Sequence, residues 1–284
     1  MIRMIRPFSR NRDAAGAPVE PLRVLAAFIV WLYVLTALFA PLLAPYGEAQ
    51  ITGEPFMPWS ARHWLGTDQL GRDFLSRLIF GVRNSLGLAV AVTALSFLTG
   101  GFLGLLAAAG GRIIDQFLSR LVDVLMALPA LIFALMLLAI SGTGAMQLIF
   151  VIAALDATRV FRLTRALAMR EAALEYVEAA RLRGENILWI MGREILPNMT
   201  GPLLAEMGMR FSFVFLTIAT LSFLGLGLQP PAADLGSMVR ENATLITYGD
   251  FTPLIPALAI AILAMSVNFL IDGYQATVLE EPDD

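Results

Sequence analysis

The sequence contains no cysteine, which excludes disulfides, thiolate metal sites and a cysteine nucleophile. It has one histidine, His63, so a histidine metal cluster or a Ser-His-Asp triad has little to be built from. Lysine is absent, and all 20 basic residues are arginine. A phosphate-binding P-loop requires a lysine, so the chain cannot carry an ordinary one. Charge is scarce at 15% of residues, and a net charge of −3 makes no case for nucleic acid.

Apolar residues are abundant instead, at 58% of 284 positions, which is outside the range of ordinary soluble domains. A helix needs about 20 apolar residues to cross a bilayer core. The runs predict six spans: Val24–Leu43, Asn84–Gly111, Val122–Ile140, Ala145–Leu163, one within Thr200–Leu228, and Thr252–Ile271. Ser141-Gly142-Thr143-Gly144 reads as the tight turn between the third and fourth, with Asp123 and Asp156 near membrane edges. The first run is longer than the apolar core of a secretory signal and follows five arginines, so it is read as a retained span.

Arginine placement orients the chain. With the N-terminus inside, the inner segments hold fourteen arginines against five in the outer loops, with Arg210 inside a span. Both termini and the segment Tyr176–Asn198 are therefore expected in the cytoplasm.

That segment, YVEAARLRGENILWIMGREILPN, is where the hydrophobic chain turns densely charged. Arg170 to Arg183 are good helix formers with Glu and Arg at pairing distances, predicting one helix. Ala179 and Ala180 leave a smooth face, and Gly184 caps or turns the helix. Ile187, Ile190, Met191 and Ile195 recur at helical spacing, and Pro197 is expected to end the run. Two readings stay open on composition: a docking element for another protein, or an amphipathic helix lying on lipid headgroups.

Other positions have a plain reading beside a functional one. His63, Asp68 and Asp73 have the types of metal ligands, yet one His and two Asp more commonly serve turns and caps. Gly100 and Gly104 permit close helix approach, at a partner interface or elsewhere. Ser222–Gly227 reads as tight packing. Glu206 and Arg210 are spaced i,i+4 in or beside the fifth span. Ionisable groups at that depth line a path or satisfy each other, and both options stand.

Glu178-Ala179-Ala180, three residues, Gly184, then twelve residues to Pro197 resembles the EAA motif of ABC importer permeases. Two further segments, HWLGTDQLGRDFLSRLIFGVRNSL at 63–86 and LSFLGLGLQPP at 221–231 followed by Gly236 and Met238, are similar to the dipeptide, oligopeptide and nickel branch. The resemblance implies an all-α integral membrane fold of the type I importer permease kind, with about six spans and a cytoplasmic coupling helix. It implies a cytoplasmic segment 1–23, a first span and periplasmic loop 24–83, a permease domain 84–277 containing the coupling loop 170–198, and a cytoplasmic tail 278–284. Glu178, Ala179, Ala180, Arg181, Gly184 and Pro197 would couple to the ATPase, with Glu206 and Arg210 as candidates for the path. Implied partners are a second, related permease subunit, two ATP-binding cassette subunits carrying ATP and Mg, a periplasmic solute-binding protein and the bilayer. No cofactor is expected on this chain. Family members usually have Leu before the motif glycine and His three residues before the proline, where this sequence has Arg183 and Glu194. Trp commonly precedes the glycine equivalent to Gly236, where Leu235 stands, and the ending Glu280–Asp284 lacks the usual mixed charge.

The expected function is therefore a non-enzymatic permease subunit of an ATP-driven, binding-protein-dependent importer of peptides or a similar small solute in the inner membrane. A secondary transporter is the alternative, but it would need midplane ion sites and usually internal repeats, and no convincing repeat is present. An intramembrane hydrolase lacks a nucleophile and base. Peptide, nickel chelate, opine and glycoside all remain open as cargo.

Overall fold

Asp73 starts the longest helix by accepting hydrogen bonds from the Ser76 backbone N–H at 2.8 Å and the Ser76 hydroxyl at 2.7 Å. This helix belongs to a computed structural model that describes residues 19–142 and 144–279. The arginines of residues 1–18 and the acidic tail 280–284 lie outside the described residues. Among those described, helices follow one another without a β-strand, and only two isolated bridges occur, Ile51 with Arg72 and Thr67 with Asp73.

The elements are α1 (Val19–Leu38), α2 (Ala40–Leu43), α3 (Phe74–Ala109), α4 (Arg112–Met126), α5 (Ala130–Ser141) and α6 (Ala145–Ala172). They continue with α7 (Glu175–Leu182), α8 (Ile187–Trp189), a π-helical turn (Ile190–Ile195), α9 (Leu196–Asn198), α10 (Thr200–Phe223), α11 (Leu235–Asn242), a 3-10 turn (Ala243–Tyr248) and α12 (Leu254–Leu279). Among the described residues, four helices are long and apolar enough to cross a membrane: α1, α3, α10 and α12. The pair α4–α5 would make a fifth, but it is bent by 85°. The third expected span, Val122–Ile140, is therefore not one straight helix. Pro129 explains the break, because its ring disfavours helical backbone at the preceding residue and it is itself extended. The fourth expected span begins at Ala145 as predicted and runs on to Ala172. Asp156, Arg159, Arg162 and Arg165 make α6 too polar to count by apolarity alone.

α3 and α6 pack along their lengths through the two glycines of the G-x-x-x-G pattern. A Cβ on Gly100 would sit 2.4 Å from the Ala157 carbonyl oxygen, and one on Gly104 would sit 2.8 Å from the Thr164 Cβ. The pattern thus serves contact within this chain. Leu88, Val92, Ile152, Phe215, Ile218 and Leu263 fill the main core between α3, α6, α10 and α12. α1 leans on α12, where the Tyr33 hydroxyl donates to the Ala259 carbonyl at 2.9 Å. Its outer side leaves Val24, Phe28 and Trp31 exposed, as a lipid-facing helix does. α4 likewise exposes Ile113, Phe117, Leu121 and Val124 at helical spacing.

Arg170 to Arg183 do not form one helix. Ala173 ends α6, and Leu174 is extended with ψ 150° before α7 starts at Glu175. The turn lets Val177 and Ala180 fold back against Ala168, Ile190 and Ile195. Burying those side chains outweighs the backbone hydrogen bonds a straight helix would keep.

Candidate functional site

The segment after α6 is a short helical hairpin with one buried and one open side. Val177 and Ala180 are fully buried, in a cluster with Leu105, Ile190, Met191, Ile195 and Met199. The expected spacing of Ile190, Met191 and Ile195 is what places them there. Glu178, Ala179, Arg181, Leu182, Arg183 and Gly184 remain exposed, and Leu182 is 84% exposed. Ala179 and Ala180 therefore divide between the two sides: Ala180 anchors, and Ala179 faces outward.

Gly184 ends α7 in a left-handed conformation with φ +82°. Its N–H donates to the Arg181 carbonyl at 3.0 Å, and the Glu185 N–H donates to the Ala180 carbonyl at 3.3 Å. This double bond pattern satisfies two carbonyls at the helix end and needs a residue without a Cβ penalty. Asn186 then caps the next helix, accepting from the Trp189 N–H at 2.8 Å. Pro197 does not end that run. It sits in the first turn of α9, where a missing N–H costs nothing, and the break follows at Met199.

Side chains tie the hairpin's arms together. The Tyr176 hydroxyl donates to Glu171 at 2.8 Å and accepts from the Asn198 amide at 3.1 Å. The same amide donates to the Glu194 carbonyl at 2.7 Å. Burial, reinforced by Glu171, raises the Tyr176 phenol above its ordinary value, so it stays a neutral donor. Arg183 and Glu194 pair at 3.3 Å.

Within the helical bundle, Arg210 and Glu206 form an ion pair at 2.5 Å, one of the two options their spacing left open. The structure adds a third member that sequence spacing could not show. Asp156 on α6 lies 3.8 Å from Arg210 and accepts from the Ser96 hydroxyl on α3 at 3.0 Å. Asp156 is buried among these helices.

At the other end of α3, His63, Asp68 and Asp73 are drawn into turns, caps and ion pairs. The His63 ring bonds Asp73 at 2.9 Å. Asp68 accepts from the Leu70 and Arg72 N–H groups, from Arg72 Nε at 2.7 Å and from Arg77 Nη1 at 2.5 Å. Arg77 also reaches Glu241 on α11 at 2.9 Å. Burial pushes the Asp68 carboxyl up, but the Arg72 and Leu70 N–H groups and the Arg77 charge outweigh it and hold it below the ordinary carboxylate range. Local spacing announces Asp68 with Arg72, four residues apart; nothing local announces Glu241.

Comparison with known proteins places this geometry. The family model described as "Binding-protein-dependent transport system inner membrane component" matches residues 100–279. The di/tripeptide transport system permease protein DppC of Pseudomonas aeruginosa is 36% identical over 273 residues, covering 94% of this chain and 87% of that protein. The glutathione transport system permease protein GsiD of Pectobacterium atrosepticum is 34% identical, covering 88% and 84%. A solved structure of the MetNI methionine ABC transporter in inward-facing conformations shares the fold with a TM-score of 0.58 at 19% identity, covering 70% of this chain and 95% of that one. An amino acid ABC transporter structure gives 0.55 at 21% identity, covering 72% and 95%. The secondary-transporter alternative gains no support from these likenesses. The matched domain, the relatives along nearly the whole chain and the shared fold agree: this multi-pass membrane protein belongs to the binding-protein-dependent transport system inner membrane components and is a permease subunit of an ABC importer.

Proposed function

We propose that the hairpin at 175–198 is the docking element through which separate ATPase subunits drive this permease, and that its cargo is a short peptide. The carrying observation is the split of α7 into a buried anchor, Val177 and Ala180, and an open face ending at Gly184. An apolar Leu182 beside Arg181 on an exposed helix end suits a protein groove. The buried anchor transmits force, because displacing α7 moves the cluster it shares with α3, α6 and the π-helical turn. Pairing with a second related permease subunit completes a membrane core to which a solute-binding protein delivers cargo. The arginine excess on the inner side, which persists without Arg159 and Arg162 of α6, supports a cytoplasmic α7 and cytoplasmic termini. ATP binding and hydrolysis on the partner subunits then alternate access to the path. A peptide cargo follows the relatives described above, whose names are those of di/tripeptide and glutathione transport permeases.

Gly184 supplies the test. A Cβ at Gly184 meets nothing within 4 Å, so a large side chain there projects into open space. The left-handed backbone costs a residue with a Cβ about 1 kcal/mol. Gly184→Trp is expected to insert at near-normal abundance, while ATP hydrolysis by the assembled complex no longer supports uptake. Uptake equal to wild type would show that this hairpin is not the coupling element. Stable transport by the purified chain alone, without ATP, would sink the subunit reading.

A further inference from the structure

Between α5, α6 and α10 lies a cavity of about 300 Å³, at the lower end of the range for small-ligand pockets. Its wall includes Leu131, Leu155 and Phe213, and its polar groups include Asp156, Arg159 and Thr217. Asp156 is already engaged by Ser96 and Arg210, and Arg210 is held by Glu206. Thr217 donates its hydroxyl hydrogen to the Phe213 carbonyl at 2.8 Å.

Arg159 differs from all of these. It is exposed, and it makes no hydrogen bond or ion pair with any described residue, although its charge acts on Asp156. It sits near the middle of the 28-residue α6, about 20 Å from either end at ~1.5 Å per residue. Arg159 lies inside the apolar run 145–163 and lines the cavity, and a cation in such a run faces a water-filled path or an anion, because hydrocarbon around it is costly. Asp156, Glu206 and Arg210 together carry one net negative charge, which Arg159 balances from a distance. The cluster is thus electrically neutral while the five guanidinium donors of Arg159 remain open.

We propose that Arg159 is a substrate-contact residue in the translocation path, donating a forked pair of hydrogen bonds to the carboxylate of a peptide held in this cavity. The inference rests on the permease reading and its peptide cargo. The apolar wall accommodates peptide side chains, and the planar guanidinium matches a carboxylate in two parallel bonds. The nearby Asp156 and Glu206 carboxylates offset part of the attraction, so the bound carboxylate is held by the forked contact without being trapped. Such a site fills and empties readily, as a conduction path requires.

The experiment uses the full complex with its partner subunits in proteoliposomes, supplied with saturating binding protein. Uptake per ATP hydrolysed is compared for a free dipeptide and its C-terminally amidated form, each normalised to occupancy of the binding protein. Wild type is expected to favour the free carboxylate, and Arg159→Gln to lower its uptake about tenfold or more and erase the preference, the size of a lost charged contact. Arg159→Lys keeps the charge without the fork and is expected to retain a reduced preference, so it carries the comparison if the Gln variant accumulates poorly. An ATP-coupled wild type beside an Arg159→Gln complex with unchanged uptake or unchanged preference overturns the inference alone. Failure of the Arg159 variants to assemble with the second permease also overturns it, by showing that the cation pairs across the subunit interface. Wild-type uptake indifferent to ATP overturns the permease reading and this inference with it.

Discussion

Arg183 and Glu194 face each other across the hairpin, with Nη2 3.3 Å from Oε1. These are the two positions in the hairpin that depart from the EAA motif the sequence resembles, and the fold brings them within reach of each other. Arg183 is 54% exposed, so solvent screens the pair and its contribution is small. A double-mutant cycle with Arg183→Leu and Glu194→Ala, read on affinity for the ATPase subunits, is expected to give a coupling of about 0.2–1 kcal/mol. Strictly additive effects would mean that the two departures are independent.

Asp68 is the buried centre of the network that fastens the segment before α3 to α11. Removing its charge leaves Arg72 and Arg77 sharing Glu241 alone. Asp68→Asn is expected to destabilise the protein by about 3 kcal/mol or more, as breaking one side of a buried ion pair does. Thermal unfolding of the purified protein and protease cleavage within 51–73 would register it; wild-type behaviour in both would contradict the network's structural role.

The same residue sets an acid limit. Its carboxyl is held below the ordinary carboxylate range, so its stabilising effect is complete above the unfolded-state value. That effect is lost as pH falls through the lower folded-state value. Hydrogen-exchange protection of the Asp68–Arg77 amides, corrected for the intrinsic pH dependence of exchange, is expected to hold from neutral pH down to the ordinary carboxylate value and to fall progressively beneath it. In Asp68→Asn this acid step should be absent.

Gly100 makes the α3–α6 contact possible at the Ala157 carbonyl. The neighbouring atoms are the Ala157 backbone and the Val160 Cβ, which is fixed to its own backbone, so none can swing aside. Gly100→Leu is expected to force the helices apart and cost about 1–3 kcal/mol or more, seen as lower abundance and a lowered Tm. Gly101→Leu is the control, because a Cβ there meets nothing within 4 Å.

Arg210 serves two carboxylates and Glu206 serves one cation. Arg210→Met strands both Glu206 and Asp156, whereas Glu206→Gln leaves Arg210 beside Asp156. The arginine variant is expected to be the more destabilised by about 1–3 kcal/mol, measured by thermal unfolding in detergent. The reverse ranking would show that Asp156 does not depend on Arg210.

What was legible beforehand depended on neighbours within a turn or two. The apolar runs located α1, α10 and α12, the turn at Ser141–Gly144 located the start of α6, and the Glu206–Arg210 spacing located an ion pair. The spacing of Ile190, Met191 and Ile195 located the inner face of the hairpin. Where local rules failed, a competing contact had won. The helix expected through Arg183 breaks at Leu174 so that Val177 and Ala180 can bury, and the third span bends at Pro129.

The sequence by itself determined that this is a membrane protein without its own P-loop, that its charged interruption is helical, and that Gly184 must turn it. Those conclusions need only composition, periodicity and the stereochemistry of single residues. Tertiary structure decided which polar groups meet: Ser96 with Asp156 across 60 residues, Arg77 with Glu241 across 164, and Arg183 with Glu194 across 11. It also decided that Arg159 lines a cavity without a partner among the described residues. Each depends on how one helix face is rotated against another, and packing of the whole bundle sets that rotation.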